Sequence, residues 1–430
     1  MNQAYIPNNI PTEDIRIYPA QMGTQSLGRL RVRTITTDVL PIEKATINIS
    51  SPSNPEVVIE QLTTDASGLS DIVELPAPPI DYSQAPGMSQ PYSEYDIRVS
   101  APGFERATFS NVEILPNVTA EQDAQLEPAP PGSEAEEVFV IPPHTLYGEY
   151  PPKIPEDEIK PTTETGEIVL SRVVVPEFVI VHDGPPEDTT AANHYIRFRD
   201  YIKNVASSEI YATWPESSIY ANVFAILSFT LNRVYTEWYR NQGYNFTITS
   251  STAYDHKWVN GRNNFNNIGI IVDSVFVNYL SRPNVRQPIL TQYCDGYRTQ
   301  CPGWMAQWGS KTLGDQGYEA INILRHFYGS SIYINTATEV SGVPASWPGN
   351  NLGIGARGNN VRMIQQQLNR IAQVYTAIPT IAVDGAYGPR TAEAVRTFQR
   401  IFSLPDTGVV DRATWYRISQ IYVGVTRIGQ

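Results

Sequence analysis

Cysteine is nearly missing from this 430-residue chain. Two residues, Cys294 and Cys301, are too few to staple a disulfide scaffold, so stability has to come from buried apolar cores. Positive charge is also short: 31 Lys and Arg stand against 44 Asp and Glu, a net charge of −13. Affinity for a phosphate backbone comes from Lys and Arg releasing condensed counterions, so nucleic acid is excluded as the main partner. Long apolar runs are absent. The longest apolar region, 219–234, is interrupted by Asn222, Ser228, Thr230, Asn232 and Arg233, and none reaches the roughly 20 apolar residues of a membrane span. The opening MNQAYIPNNIPTEDIRIYP has neither a basic n-region nor an apolar h-region, so no Sec signal peptide is expected.

What is present points to several folded units. Apolar residues make up 41% of the chain, too many for an intrinsically disordered protein. RLRVRTIT, KATINIS and PEVVIEQLTTD alternate in the manner of half-buried strands. With GLSDIVELPAPP, SEYDIRVSAPGFERATFSNVEIL and a polar stretch closing at Leu126, about six or seven short strands fit residues 26–127, and a sandwich closes them. Residues 128–172, rich in Pro and Glu, read as an extended, semi-rigid linker. VVVPEFVIVHDG follows as a strand, then a helix in which Ile219, Val223, Ile226 and Val234 recur at three- and four-residue steps. Pro215 and Glu216 suit its first turn and Gly243 its stop; YNFTITSS predicts a strand and 268–280 a second amphipathic helix. A short linker, 336–352, leads to 353–424, where VRMIQQQLNRI, AEAVRTFQRIF and RATWYRISQIY predict a three-helix bundle. No long internal repeat is visible.

Three segments resemble known families. GARGNNVRMIQQQLN followed by VDGAYGPRTAEAVRTFQRIFSLPDTGVVDRATW resembles the type 1 peptidoglycan-binding domain over nearly its full length. Gly385, Gly388 and Gly408 suit tight turns, Pro389 opens a helix, and Val361, Ile364, Leu368, Val395, Phe398 and Trp415 supply a core. That resemblance implies a groove recognising cell-wall glycan or peptide. LRVRTITTDVLPIEKATINI, TTDASGLSDIVELPAPP and YDIRVSAPGFERATFSNVEI resemble the carboxypeptidase regulatory-like (transthyretin-like) β-sandwich, which serves as a structural or adhesive add-on and implies no functional residue here. YIKNVASSEIYATWPESSIYANVFAILSFTLNRVY and CPGWMAQWGSKTLGDQGYEAINILRHFYGSSIYI look like the two signature segments of the stage II sporulation protein D family. Its members are lytic transglycosylases of spore-forming bacteria that act on peptidoglycan stripped of stem peptides. The chain departs from the family in its helix and in TQCPGWMAQ, which lacks the family's His, so different substrate contacts are expected. The expected fold is multidomain α+β: an N-terminal arm (1–25), a β-sandwich (26–127), a linker (128–172), a central mixed α+β catalytic-type domain (173–335), a second linker and a C-terminal three-helix bundle.

The resemblance places the catalytic carboxyl at Glu209, in the V-x-x-S-E segment. One carboxyl suffices for the chemistry it implies: protonated, it donates to the glycosidic oxygen; ionised, it takes the proton of the muramic C6 hydroxyl as an anhydro ring closes. A hydrolase needs a second carboxylate about 5 to 9.5 Å away, for which Asp255 and Asp295 are the candidates. By spacing alone, Glu209 reads as an acid flanking a helix N-terminus, where the dipole favours negative charge. Tyr254, Trp258, Trp304 and Trp308 cluster in or beside the signature segments, where a ring face can pack on a pyranose, although most buried Trp and Tyr are core residues. Tyr254, Trp304 and Gln307 are the substrate-binding candidates. His256, Cys294 and Cys301 form the one metal-capable set, since imidazole and thiolate suit zinc, and some members of the family bind zinc through one His and two Cys. Cys-x6-Cys is not a finger spacing; a disulfide or two buried thiols are the competing readings, and no cofactor is assigned.

The expected function is binding and cleavage of peptidoglycan glycan strands, with the C-terminal module raising the local substrate concentration. The alternatives are a catalytically inactive structural or adhesive protein of the spore envelope that binds glycan, and a wall-penetrating part of a phage-like injection apparatus. Spore-envelope or other proteins are the expected partners of the sandwich. The missing signal peptide predicts synthesis in the cytosol of a mother cell and association with the spore envelope or cell wall.

Overall fold

The computed structural model describes residues 26–130, 132–160 and 172–426. The expected arm, 1–25, lies outside the described residues. The alternating segments form β1 (Ser26–Ile35), β2 (Thr46–Ser51), β3 (Asn54–Thr63), β4 (Val73–Ala77), β5 (Ser93–Ser100), β6 (Arg106–Ile114) and β7 (Thr119–Gln125). In one sheet β1 lies between β4, antiparallel, and β7, parallel; in the other β3, β2, β5 and β6 pair antiparallel in that order. Leu30, Val32, Ile47, Ile49, Ile97 and Val99 point inward and are fully buried, as the two-residue period of a strand demands. Between β3 and β4, the Asp65 carboxylate accepts the N–H groups of Ser67 at 2.8 Å and Leu69 at 3.0 Å, tying the turn before the next strand.

The Pro- and Glu-rich stretch is not a free spacer. Its β8 (Glu136–Val140) pairs parallel with β6, and Phe139 stacks on Phe109 with centroids 4.8 Å apart. Phe139 also meets Gly261, whose φ of +77° suits glycine and where an added Cβ would lie 2.5 Å from the ring. Residues 141–160 then run across the central unit. The Ile154 N–H donates to the Ala253 carbonyl at 2.7 Å, Lys160 exchanges two backbone hydrogen bonds with the Gln287 side chain, and Glu158 grips Arg282 at 2.7 Å. Proline keeps such a segment extended, but an extended backbone retains N–H and C=O groups that can pair with a neighbour. Its carboxylates meet arginines of the central unit instead of repelling one another.

The central unit contains β9 (Val174–Val175), β10 (Phe178–His182), β11 (Asn193–Arg197), α1 (Phe198–Glu209), α2 (Glu216–Tyr235), α3 (Asn266–Val275), α4 (Gln307–Asp315) and α5 (Ala320–Tyr328). Pro176 separates β9 from β10, where the sequence reads as one strand. The polar residues that interrupt α2 are buried and paired. Asn222 reaches Ser310 Oγ at 2.8 Å, Ser228 Oγ donates to the Ile289 carbonyl at 2.9 Å, and Asn232 donates to the Pro288 carbonyl at 2.7 Å. The helix is therefore a core element surrounded by protein, and no helix among the described residues is long and apolar enough to cross a membrane. It stops at Tyr235; Gly243, the expected stop, closes a later 3-10 turn, Arg240–Gln242, at φ 89°. The second expected helix ends at Val275, and Asn278–Ser281 instead pairs with Tyr333–Thr336.

Three helices, α6 (Asn359–Ile371), α7 (Pro389–Ile401) and α8 (Arg412–Thr426), pack around Val361, Ile364, Leu368, Val395, Phe398 and Trp415, all nearly or fully buried. Two buried glutamines hold their loops in equivalent ways. Gln365 Oε1 accepts the Gly385 N–H and Gln399 Oε1 the Gly408 N–H, each at 2.8 Å, while their Nε2 groups donate to the Ala386 and Val409 carbonyls. Each glutamine ends a V-R-x-x-Q segment, 361–365 and 395–399. The bundle is docked on both other units: Arg412 donates to the Ser274 carbonyl at 2.8 Å, Arg199 reaches Gln420, and Ser403 lies 2.7 Å from Glu121. The expected linker 336–352 packs as well, with the Ala345 carbonyl accepting from Trp415 Nε1 at 3.1 Å.

The sandwich meets the central unit through a buried ion pair, Glu113 with Arg262 at 2.6 Å, both about 1% exposed. Burial pushes the Glu113 carboxyl from 4.5 up to about 7, with Arg262 opposing it. A folded pKa above the unfolded one contributes stability that is fully present below the unfolded value and is lost as pH rises through the folded one. The Glu113 contribution to stability is therefore expected to fall between about pH 4.5 and 7, so the difference in melting temperature between wild type and Glu113→Gln should shift against wild type as pH rises through that window.

Candidate functional site

α1 follows β11 without a break and ends at Glu209, because Ile210 turns to extended backbone at φ −138°. Glu209 is 3% exposed. Its Oε1 accepts the backbone N–H of Lys257 at 2.6 Å and its Oε2 accepts the hydroxyl of Tyr293. Burial pushes this carboxyl above the ordinary value; the charge of Lys153 and the two hydrogen bonds oppose that push without cancelling it.

Glu209 lines a cavity of about 360 Å³. One wall is the former spacer, with Thr145, Glu149, Tyr150, Pro151, Pro152 and Lys153. The other carries Cys294, Asp295, Arg298 and Thr299, and Tyr293, Gln307 and Thr252 complete the lining. The second wall is a loop closed by a disulfide between Cys294 and Cys301, whose Cα atoms are 5.6 Å apart. Inside the loop, Asp295 accepts the N–H groups of Thr299 at 2.9 Å and Arg298 at 3.0 Å. Burial acts to raise the Asp295 carboxyl, but these bonds and Arg298 outweigh it and hold the carboxyl below its usual range. Arg298 latches the two walls together by donating to the carbonyls of Thr145 at 2.6 Å and Tyr147 at 3.2 Å.

Of the residues singled out by sequence, the fold brings Glu209 and Gln307 to this cavity. Gln307 is 4% exposed and donates to the Glu209 carbonyl at 3.1 Å, so it holds the end of α1 in place. Tyr254 does not line the cavity; its hydroxyl lies 3.4 Å from Glu187. Trp304 is half-buried and also outside it, while Trp258 and Trp308 are core residues, Trp308 packing 5.0 Å from Trp214. The metal-capable set is dissolved: Cys294 and Cys301 are spent on each other, and among the described residues no cluster of metal-ligating side chains remains. His256 is fully buried, with its Nδ1 3.1 Å from the Tyr201 hydroxyl, and burial beside Lys153 and Arg233 keeps it neutral. Asp255 is consumed by Arg233, Tyr239 and Thr249, which removes it as a second catalytic carboxylate. Residue spacing missed Tyr293 and Lys153, because each acts on Glu209 from far along the chain; an aromatic hydroxyl just before the first cysteine was the one local signal for Tyr293.

The disulfide should hold this wall measurably. Replacing both cysteines by serine is expected to lower stability by about 2 kcal/mol, the low end for a short closed loop, and to speed proteolysis within 295–300. Chemical denaturation and limited digestion followed by mass spectrometry check both effects.

Residues 357–418 match the family model described as "Putative peptidoglycan binding domain". No curated protein matches the chain. Among solved structures, the SleB N-terminal domain is 28% identical over 18% of this chain and 99% of its own, with a TM-score of 0.16. The TIE protein of Bacillus anthracis is 16% identical over 24% of this chain and 17% of its own, with a TM-score of 0.18. The minor pilin GBS52 of Streptococcus agalactiae is 13% identical over 25% of this chain and 48% of its own, with a TM-score of 0.18. The bundle of α6, α7 and α8 is thus a peptidoglycan-binding domain.

Proposed function

We propose that this protein binds peptidoglycan through its C-terminal domain and cleaves glycan strands at Glu209 as a lytic transglycosylase. The observation that carries this reading is a desolvated glutamic acid with a raised proton affinity, lining a cleft and touched by a tyrosine hydroxyl. A carboxyl in that state keeps its proton for donation to the leaving glycosidic oxygen. As the C1–O bond breaks, the proton moves to the departing sugar and Glu209 becomes a carboxylate. It then accepts the proton of the C6 hydroxyl while that oxygen closes on C1, and the acid is restored. The Tyr293 hydroxyl serves both states, since it can donate to the carboxylate and accept from the acid. Asp295 is tied up by its loop and by Arg298, which disfavours a second, water-activating carboxylate. The substrate lies in the cell wall, and a spore wall fits the resemblance of the central segment.

A second reading has its own support. Glu209 is 3% exposed and both its oxygens are engaged, as they would be in a glycan-binding protein without turnover.

Digestion of purified peptidoglycan, with and without stem peptides, separates the two. Wild type is expected to release fragments with anhydro-muramic ends, seen by mass spectrometry, and Glu209→Gln to lose at least about 100-fold in rate, the contribution of a positioned acid–base. Tyr293→Phe should lower kcat while leaving wall binding intact. Reducing ends would indicate a hydrolase, and wall binding without any product would establish the binding protein. Because the acid must start protonated, activity is expected to decline as pH rises through the raised pKa of Glu209.

A further inference from the structure

Lys153 is a half-buried cation at the cavity wall, and among the described residues no ion pair puts a carboxylate in contact with it. Its Nζ donates to the backbone carbonyl of Asp255 and lies 5.0 Å from the ring centroids of both Phe229 and Tyr293; no ion pair involves it among the described residues. An ammonium in such a place is costly unless charge or ring faces compensate it. Burial lowers its proton affinity, and the groups that act against this are Glu209 foremost, then Asp255 and Glu156. The ring it faces is the one whose hydroxyl sits on Glu209. Ammonium, ring, hydroxyl and carboxyl thus form one chain of contacts, and Lys153 lines the same cavity as Glu209.

We propose that Lys153, supplied by the stretch between the sandwich and the central unit, is a positioning residue of the Glu209 site: its ammonium holds Tyr293 against the carboxyl and balances the charge Glu209 gains on giving up its proton. The proposal rests on the reading of Glu209 as acid and base. Most of the other charged and titratable groups around the pair are fixed by partners of their own. Arg233, from α2, is bound by Asp255 and Glu156. His256, beside Tyr293 at a centroid distance of 5.8 Å, stays neutral. Lys257 gives Glu209 its backbone N–H, and its own ammonium lies 5.2 Å from the Tyr150 ring. Tyr201 bonds His256, Asp295 is neutralised by Arg298, and Glu149 lines the same wall as Lys153, four residues before it. Lys153 is the foremost cation acting on Glu209, ahead of Lys257. The stretch between the units therefore completes the site, and a central unit lacking it would hold Glu209 without its main counter-charge.

The test uses the full chain and peptidoglycan as substrate. Removing a nearby positive charge makes Glu209 hold its proton more tightly, so in Lys153→Met the alkaline limb of the kcat profile should move to higher pH. kcat itself should fall about tenfold or more as the nascent carboxylate loses its partner, with KM little changed. Lys153→Arg should return the limb towards its wild-type position. A uniform loss at every pH with the limb unmoved, or no return with Arg, would overturn the proposal. A second measurement does not depend on activity or on the folding of Lys153→Met: carbon-13 NMR titration of the Lys153 side chain in wild type and Glu209→Gln. Coupling is reciprocal, so the ammonium should titrate at lower pH once the carboxyl is removed; an unchanged titration would refute the pairing. Full activity in Glu209→Gln would sink the acid–base reading, whereas the titration reports on the pair alone, so the two failures are distinguishable.

Discussion

A guanidinium cut off from water organises the centre of this molecule. Arg233, on α2, is 1% exposed. Its Nε donates to Asp255 at 2.7 Å, its Nη1 and Nη2 to Glu156 at 2.9 and 2.5 Å, and Phe229, Trp238 and Tyr239 cover it. The far oxygen of Asp255 takes the Tyr239 hydroxyl at 2.6 Å and the Thr249 N–H at 2.8 Å, so every partner is itself satisfied. Removing one member of such a set leaves a charge stranded and typically costs about 3–5 kcal/mol. Glu156 belongs to the stretch that carries Lys153, and Asp255 lies two residues before Lys257. One buried cation therefore fixes both segments that reach Glu209, and the electrostatics of the cleft depend on it.

The same logic joins the three units. Asp273, on α3, is gripped by Arg199 at 3.2 Å and Lys203 at 2.6 Å, both from α1, and Arg199 extends from there to Gln420 of the binding domain. α1 is the helix that ends in Glu209. The wall-binding domain is thus set against the element that carries the candidate acid, and a captured strand would meet the cleft in a fixed relation, unlike the loose tether that a free Pro-rich spacer would give. The excess of carboxylates seen in composition is partly absorbed here, in pairs that cross from one unit to another.

How much of this was legible in the sequence depended on the range of the interactions. The alternation of β1, β2 and β5 and the periodicity of α2, α6 and α7 are local, and each predicted its element. The end of α2 was misplaced because Gly243 signals a turn but does not say which turn. The Pro- and Glu-rich stretch was misread because its composition describes local stiffness, whereas its pairing with β6 and its grip on Arg233 and Arg282 are decided by residues 30 to 124 positions away. Glu209 was found through a resemblance, and Gln307 came with it, though as a brace for the helix end. Tyr254 and Trp304 were drawn in by proximity in sequence to the signature segments, and the fold turns them elsewhere. The choice between disulfide and zinc at Cys294 and Cys301 needed the Cα separation of 5.6 Å, which spacing does not supply.

The central claim is that the Glu209 cavity receives glycan, in addition to the wall-binding domain. Hydrogen exchange of the full chain, with and without soluble peptidoglycan fragments, tests it most directly, because each site reports through its own peptides. The account requires slowed exchange in peptides spanning 145–153 and 293–299 as well as within 357–418. Protection confined to 357–418, with the cavity walls unchanged at saturating fragment, would contradict it.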